Sequence, residues 1–192
     1  LHCSVHSFPT RRSSDLKGFS GIYVGVDENT YFLERAVEAT RDGEAGSYIF
    51  IQGSLADSNW MEMVDHADVI CSFAALHHLP GEDLHRQFFS TISSKLSPNG
   101  RLFLSCWQVL GNPRLEKHLV PWGPMESNSP SINQADLLLD WRADPGKPAK
   151  LRYVHHFSPQ ELRNLGEPEG LILQDEFYSD GKEGNLGLYQ VW

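Results

Sequence analysis

The chain of 192 residues holds nine histidines, and four of them form adjacent pairs, His77-His78 and His155-His156. An imidazole changes charge near neutral pH, so it can serve as base, acid or metal ligand. His77 and His78 follow the apolar run ADVICSF. In a loop after a strand, one ring packs inward and the other faces a pocket. His155 and His156 lie in an extended stretch, where neighbours alternate faces and at most one points at a given pocket. No ligand spacing recommends a metal site built from these four, and no metal is expected. Cys3, Cys71 and Cys106 are odd in number and far apart, which fits neither a zinc pattern nor a disulfide framework. A reducing, cytoplasmic setting follows. Asp27 closes the run YVGVD. A carboxylate at a strand end accepts hydrogen bonds only, and it can take two donors at once.

Between Trp141 and Arg163, five positive residues (Arg142, Lys147, Lys150, Arg152, Arg163) face two negative ones (Asp144, Glu161). Trp122, Trp141 and Tyr153 are close by in the sequence. Basic and aromatic side chains mixed in this way suit a single-stranded nucleic acid. The net charge of −9 counts against indiscriminate binding of that kind.

A positioned site needs a scaffold. Hydrophobic residues at 40% and charged residues at 21% exclude a wholly disordered chain, and the length suits one domain. No run approaches the roughly 18 apolar residues of a membrane span, and no secretory leader is visible. Strands are predicted at 21–27, 47–52, 67–73 and 101–107 from their β-branched and aromatic runs. A helix capped by Asn29 or Thr30 follows the first, and a short helix is expected over 59–64. Leu84, Phe88, Phe89, Ile92 and Leu96 make one helical stripe, stopped by Pro98-Asn99-Gly100. Strand and helix alternate through short loops, as in a parallel sheet covered by helices.

Residues 107–150 read as an irregular substrate-side insertion with a helix around Gln134 to Trp141. Ser158, Pro159 and Glu161 form a helix start with a capping box. Two last strands, 171–178 and 186–192, flank a turn-rich connection and must be antiparallel neighbours. Residues 1–16 have no period. HSFPTRRSSDL is similar to translated sequencing-adapter DNA standing in place of genuine sequence, with a flexible arm as the alternative. The domain proper is expected over 17–192.

This order of elements, with the residues in it, resembles the class I S-adenosylmethionine-dependent methyltransferases. YVGVD matches the family's second strand, Gly53-Ser54-Leu55 its adenine loop, and Phe73-Ala74-Ala75-Leu76-His77-His78-Leu79-Pro80 the segment lining the methionine end of the cofactor. Leu96-Ser97-Pro98-Asn99-Gly100-Arg101-Leu102 matches the turn before the fifth strand. The resemblance implies an α/β Rossmann-like sheet, mostly parallel with a C-terminal antiparallel hairpin. It implies S-adenosyl-L-methionine as cofactor, held by Asp27, Glu28, Gly53, Ser54, Leu55, Phe73, Ala74 and His77. Asp27 would accept from both ribose hydroxyls. Taken without the resemblance, Asp27 also reads as a helix N-terminal charge and Ser54 as a plain turn residue. The family's first strand and glycine-rich loop are missing before YVGVD. A truncated chain that binds cofactor poorly is therefore expected, with strand edges open unless the N-terminal arm fills the gap.

Val120-Pro121-Trp122 and Arg152-Tyr153-Val154-His155-His156-Phe157 are similar to a pattern of wobble-uridine tRNA methyltransferases. That implies methylation of a tRNA carboxylate, with a small activating protein partner by family analogy. A small-molecule acceptor (quinone, lipid or natural product) and a catalytically inactive partner domain are the alternatives. His78 and Arg152 are the candidate catalytic residues. An ionised carboxylate needs little base catalysis, so alignment and charge neutralisation would supply most of the rate.

Overall fold

The computed structural model describes residues 2–6, 20–41, 46–57, 59–123, 132–141 and 150–192. The elements are β1 (His2–His6), β2 (Ile22–Asp27), α1 (Thr30–Thr40), β3 (Ser47–Gln52), β4 (Ala67–Phe73), α2 (Glu82–Lys95), β5 (Leu96–Trp107) and α3 (Pro113–Glu116). Then come β6 (Leu119–Val120), β7 (Asp136–Trp141), β8 (Lys150–His155), α4 (Pro159–Gly166), β9 (Asp175–Ser179) and β10 (Gly187–Val191). Short 3-10 turns occupy Asn59–Met63, Leu76–His78 and Glu167–Glu169.

One sheet has the order β3-β2-β1-β4-β5-β10-β9, and a smaller one the order β6-β7-β8. In the large sheet β1 to β5 pair in parallel, while β10 runs antiparallel to both β5 and β9. This is the expected Rossmann-like α/β arrangement, closed by an antiparallel pair. The slot left by the missing first strand is filled by the N-terminal arm, the alternative left open above. His2–His6 lies between β2 and β4, with Cys3 opposite Val24 on one side and Ile70 on the other. Two unpaired edges in the middle of a sheet leave rows of donors and acceptors without partners, and any extended segment can satisfy them through its backbone. The position of the expected glycine-rich loop falls in 7–19, outside the described residues.

α2 explains the core. Phe88, Phe89 and Ile92 are buried on one face, as the stripe predicts, and meet Leu102, Leu104, Leu162, Leu165, Leu188 and Trp192. Gly166 permits the close approach of α4: a Cβ there would stand 3.0 Å from Trp192 Cη2 and 3.2 Å from Phe89 Cε1. A second cluster of Val109, Leu115, Leu139 and Val154 joins the small sheet to the large one, with Trp107 and Leu186 packed against it.

Three local expectations change. Residues 136–141 form β7 rather than a helix. Its backbone groups pair with β8 from Asp136 opposite His155 to Trp141 opposite Lys150. An eight-residue helix with little packing is marginal, and a cross-strand ladder outcompetes it. Pro98-Asn99-Gly100 lies within β5 as a bulge: Leu96 pairs with Ala67 and Arg101 with Val69, so residues 97–100 stand opposite Asp68 alone. Asn99 takes φ 65°, a conformation asparagine tolerates. The stretch before the last hairpin joins the ladder only at its end, where Gln174 N–H donates to the Val191 carbonyl at 2.7 Å and β9 begins at Asp175; Gly170 ends the preceding turn in a left-handed conformation and 171–173 stay off the ladder.

Phe89 is fully buried, whereas Phe177 is 43% exposed and stacks flat on Tyr189. Phe89→Ala should therefore cost about 3–5 kcal/mol, and Phe177→Ala about 1 kcal/mol. Urea unfolding of both variants beside the parent checks the contrast; equal losses would contradict this account of the core.

Candidate active site

β2, β3, β4 and β5 end on one edge of the large sheet, at Asp27, Gln52, Phe73 and Trp107. β1 has β2 on one side and β4 on the other, so the chain order reverses there. In doubly wound sheets ligands bind at the carboxyl edge beside such a reversal.

Asp27 is buried, and its Oδ1 accepts from the backbone N–H of Asn29 at 2.8 Å. Asn29 in turn caps α1, accepting from Tyr31 N–H at 3.0 Å. The end of β3 folds against this corner. Gly53 N–H donates to the Asp27 carbonyl at 3.1 Å, Gln52 Nε2 to the Glu28 carbonyl at 3.3 Å, and Ser54 Oγ to Glu28 Oε2 at 3.4 Å. Leu55 packs partly buried against the main core. Gly53 is required by space, since a Cβ there would lie 2.8 Å from the Trp60 Cβ. The structure thus brings Asp27, Glu28, Gly53, Ser54 and Leu55 to one place.

Across the reversal, Phe73 ends β4 and Ala74 holds φ 53°. That left-handed conformation costs a non-glycine residue about 1 kcal/mol. It aims the Ala74 N–H at Ser105, whose carbonyl and Oγ accept at 3.0 and 3.2 Å. The following turn divides the two histidines as expected. His77 is fully buried, and its Nδ1 accepts from Trp107 N–H at 3.3 Å. The proton is then on Nε2, a buried donor without a hydrogen-bond partner among the described residues. His78 is half-buried and donates from Nδ1 to the Tyr153 carbonyl at 2.9 Å. Its Nε2 therefore keeps a lone pair.

Burial, helped by the neighbouring His78 and Arg152, holds His77 well below the usual imidazole range. Burial also lowers His78, in part offset by the Tyr153 carbonyl. Both rings stay neutral at pH 7. Trp107 closes the group, with its ring 5.1 Å from that of His77 and 5.6 Å from that of His78. The half-buried Arg152 guanidinium lies 5.8 Å from the Trp107 ring centroid, within cation–π distance. Glu28 is near enough to act on His78 through its charge. A base with a free lone pair, a cation and an acid thus face one region at the carboxyl edge.

A second polar group lies behind Tyr153. The Tyr153 hydroxyl donates to Asp136 Oδ1 at 2.5 Å, and Asp136 Oδ2 accepts from Asn133 N–H at 2.9 Å. His155 places Nδ1 at 2.7 Å from Asp136 Oδ1 and Nε2 at 2.8 Å from Glu161 Oε1. Burial opposes charge on His155, yet the two carboxylates overcome it and raise its pKa; theirs fall in return despite desolvation. His156 turns the other way and accepts from Leu110 N–H at 3.4 Å, so the pair alternates as read.

The role of Asp136 was not visible in the sequence. The residues around it read as a helix, with no partner for its carboxylate in sight. Glu161 was legible only as half of a capping box. Its N–H does take the Ser158 cap at 3.2 Å, but its carboxylate goes to His155.

Of the basic stretch, Lys150, Arg152 and Arg163 lie among the described residues. Arg142 and Lys147 fall outside the described residues, and Arg163 pairs with Glu176 at 2.5 Å. Trp122 donates its Nε1–H to the Asp136 carbonyl at 3.0 Å and packs 6.2 Å from the Tyr153 ring. Among the described residues no helix is long and apolar enough to cross a membrane.

Residues 10–104 match the family model described as a methyltransferase domain; the match begins inside the N-terminal stretch set aside above. No curated protein matches the sequence. A crystal structure of an S-adenosylmethionine-dependent methyltransferase from Methanosarcina mazei is similar at TM-score 0.70 and 15% identity, over 99% of this chain and 90% of that one. The CcbJ methyltransferase from Streptomyces caelestis gives 0.63 and 15% over 99% and 86%. The glycopeptide N-methyltransferase MtfA, complexed with S-adenosylmethionine, gives 0.62 and 12% over 99% and 85%.

Neutral burial of His77 has a consequence for stability. Unfolded imidazole takes up a proton below about pH 6.5, whereas the folded ring resists until a lower pH. The unfolded state then binds more protons, so stability present above about pH 6.5 is lost as the pH falls through and below it. Urea unfolding between pH 7.5 and 5.5 should show this decline in the parent and a shallower one in His77→Asn. Parallel slopes would contradict it.

Proposed function

We propose that this chain is an S-adenosylmethionine-dependent methyltransferase, as the family match over residues 10–104 supports, and that it methylates a small acceptor carrying an anionic group at the carboxyl edge of the large sheet. The observation that supports this best is the convergence of His78 and Arg152 beside the corner built on Asp27. The donor set fits the cofactor. Asp27 offers acceptor oxygens at the strand end where a nucleoside sugar sits in doubly wound folds. Gly53, Ser54 and Leu55 would line the base, with Glu28 beside them. Phe73, the strained Ala74 and the unpartnered Nε2–H of His77 would line the methionine end.

When bound, the cofactor supplies an electrophilic methyl on a sulfonium. The chain's own residues then orient and deprotonate the acceptor. Arg152 is charged, and stacking on Trp107 limits its motion, so it pairs with an acceptor carboxylate or phosphate and fixes the acceptor's approach. His78 takes the proton of a hydroxyl or amine nucleophile at Nε2, the nitrogen left open by the bond to Tyr153. Tyr153 is anchored by Asp136, so Asp136 positions His78 through the backbone of β8.

A second reading, favoured by the Arg152–Trp107 pair, is a tRNA wobble-uridine carboxylate as acceptor. In that case Arg152 neutralises the nucleophile itself and His78 is dispensable. The pairing of Arg163 with Glu176 takes one cation out of the basic stretch, which supports the small acceptor over the tRNA.

Titration with S-adenosylhomocysteine tests the cofactor corner. A charge-assisted hydrogen bond contributes about 1.5–3 kcal/mol, so Asp27→Asn should weaken binding at least about tenfold; unchanged affinity overturns the assignment. Methyl transfer to a panel of small carboxylate-bearing phenols and amines, run beside bulk tRNA, tests the acceptor. With a small acceptor, Arg152→Ala should raise KM more than it lowers kcat. The parent should hold its kcat/KM as the pH falls to about 6.5 and lose it below, because the His78 pKa lies under the ordinary value. His78→Gln should abolish that limb. Turnover of tRNA alone, insensitive to His78→Gln, would select the second reading.

A further inference from the structure

Behind Tyr153, three elements bring side chains together that the proposed methyl transfer does not use. His85 comes from α2, His155 from β8 and Glu161 from α4. One potential ligand atom from each lies within 4.8 Å of the other two. Both histidines are nearly fully buried, and Glu161 is half-exposed.

We propose that His85, His155 and Glu161 form a binding site for a divalent metal ion of the zinc type. Two imidazoles and a carboxylate are a common zinc ligand set, leaving one further position. Ligands about 2.0–2.2 Å from zinc stand roughly 3.4 Å apart, so the group closes on an ion with side-chain adjustments of about an ångström.

Each histidine also has the outer partner that a metal-bound imidazole needs. A ligating imidazole almost always gives its other N–H to a carboxylate or a carbonyl, which fixes the ring and the tautomer. Asp136 Oδ1 stands 2.7 Å from His155 Nδ1, leaving Nε2 directed at Glu161. The Leu79 carbonyl stands 2.7 Å from His85 Nε2, leaving Nδ1 as the nitrogen with a lone pair. Asp136 is itself held by Tyr153 and Asn133, so the outer shell is built rather than incidental.

Charge balance points the same way. Asp136 and Glu161 bring two carboxylates to a place walled by Phe157, whose ring is 4.7 Å from that of His85 and 4.4 Å from that of His155. A dication matches two carboxylates, and in this low-dielectric setting the match counts for more than it would in water. The exposed side of Glu161 gives the ion its way in. An ion here would tie α2, α4 and the small sheet together.

The test uses the full chain without an affinity tag, stripped of metal by dialysis against a chelator. Zinc chloride should bind with one ion per chain in calorimetry and raise the melting temperature. Cobalt(II) chloride should give the visible absorption of a low-coordinate site. Glu161→Gln and His85→Asn should each abolish the cobalt band, and Asp136→Asn should weaken zinc binding about 10–100-fold. If His85→Asn fails to fold, Glu161→Gln alone decides, because its side chain reaches solvent. Absence of stoichiometric zinc binding, or cobalt absorption unchanged in Glu161→Gln, would overturn the site.

Discussion

The 2.9 Å hydrogen bond from His78 Nδ1 to the Tyr153 carbonyl joins the two halves of the molecule at their most consequential point. His78 belongs to the edge of the large sheet, and Tyr153 to β8 of the small one. The bond sets the tautomer of the histidine and so decides which nitrogen faces the region beside Asp27. It also needs β8 to be in register, because a slip of one residue would carry the Tyr153 hydroxyl away from Asp136 and Arg152 away from Trp107. The orientation of one imidazole therefore depends on a ladder of backbone pairs whose own residues need no chemistry at all.

The large sheet was legible because its signals are local. YVGVD, SYIFIQ and ADVICSF are β-branched and aromatic runs, and α2 announces itself by a stripe whose inner face is buried as read. The capping residues Asn29 and Ser158 behave as their chemistry predicts. Long-range facts were not legible in the same way. LHCSVH has no period of its own to mark it as a central strand; that role is dictated by what β2 and β4 leave unpaired. β7 departs from the predicted helix because leucines in a row have no decisive period, and only the partner strand, paired 9 to 19 residues further along the chain, resolves it.

The same distinction holds at the site. Asp27, Gly53, Phe73 and His77 were expected from their position in a recognisable order of strands, and the structure places each at the carboxyl edge of the large sheet. Asp136 had no such frame. Its contacts with Tyr153 and His155 join segments far apart in the chain, and no pairwise spacing records them. Glu161 carried a signal for the wrong task, since a glutamate three residues after a capping serine is read first as a cap. Within the +3 stretch between 141 and 163, Arg163 meets Glu176 across the fold, a pairing that no local count of charges records.

The direction of the outermost pairings has a practical corollary. His2 lies opposite Val69, at the amino end of β4, and Val191 lies opposite Phe103, in the amino-terminal half of the β5 ladder. The first and last described residues therefore leave from the side of the sheet facing away from Asp27 and His78. Whatever is fused at either extremity, whether a reporter, a purification handle or a neighbouring module, would project from the back of the molecule and leave the mouth of the site clear.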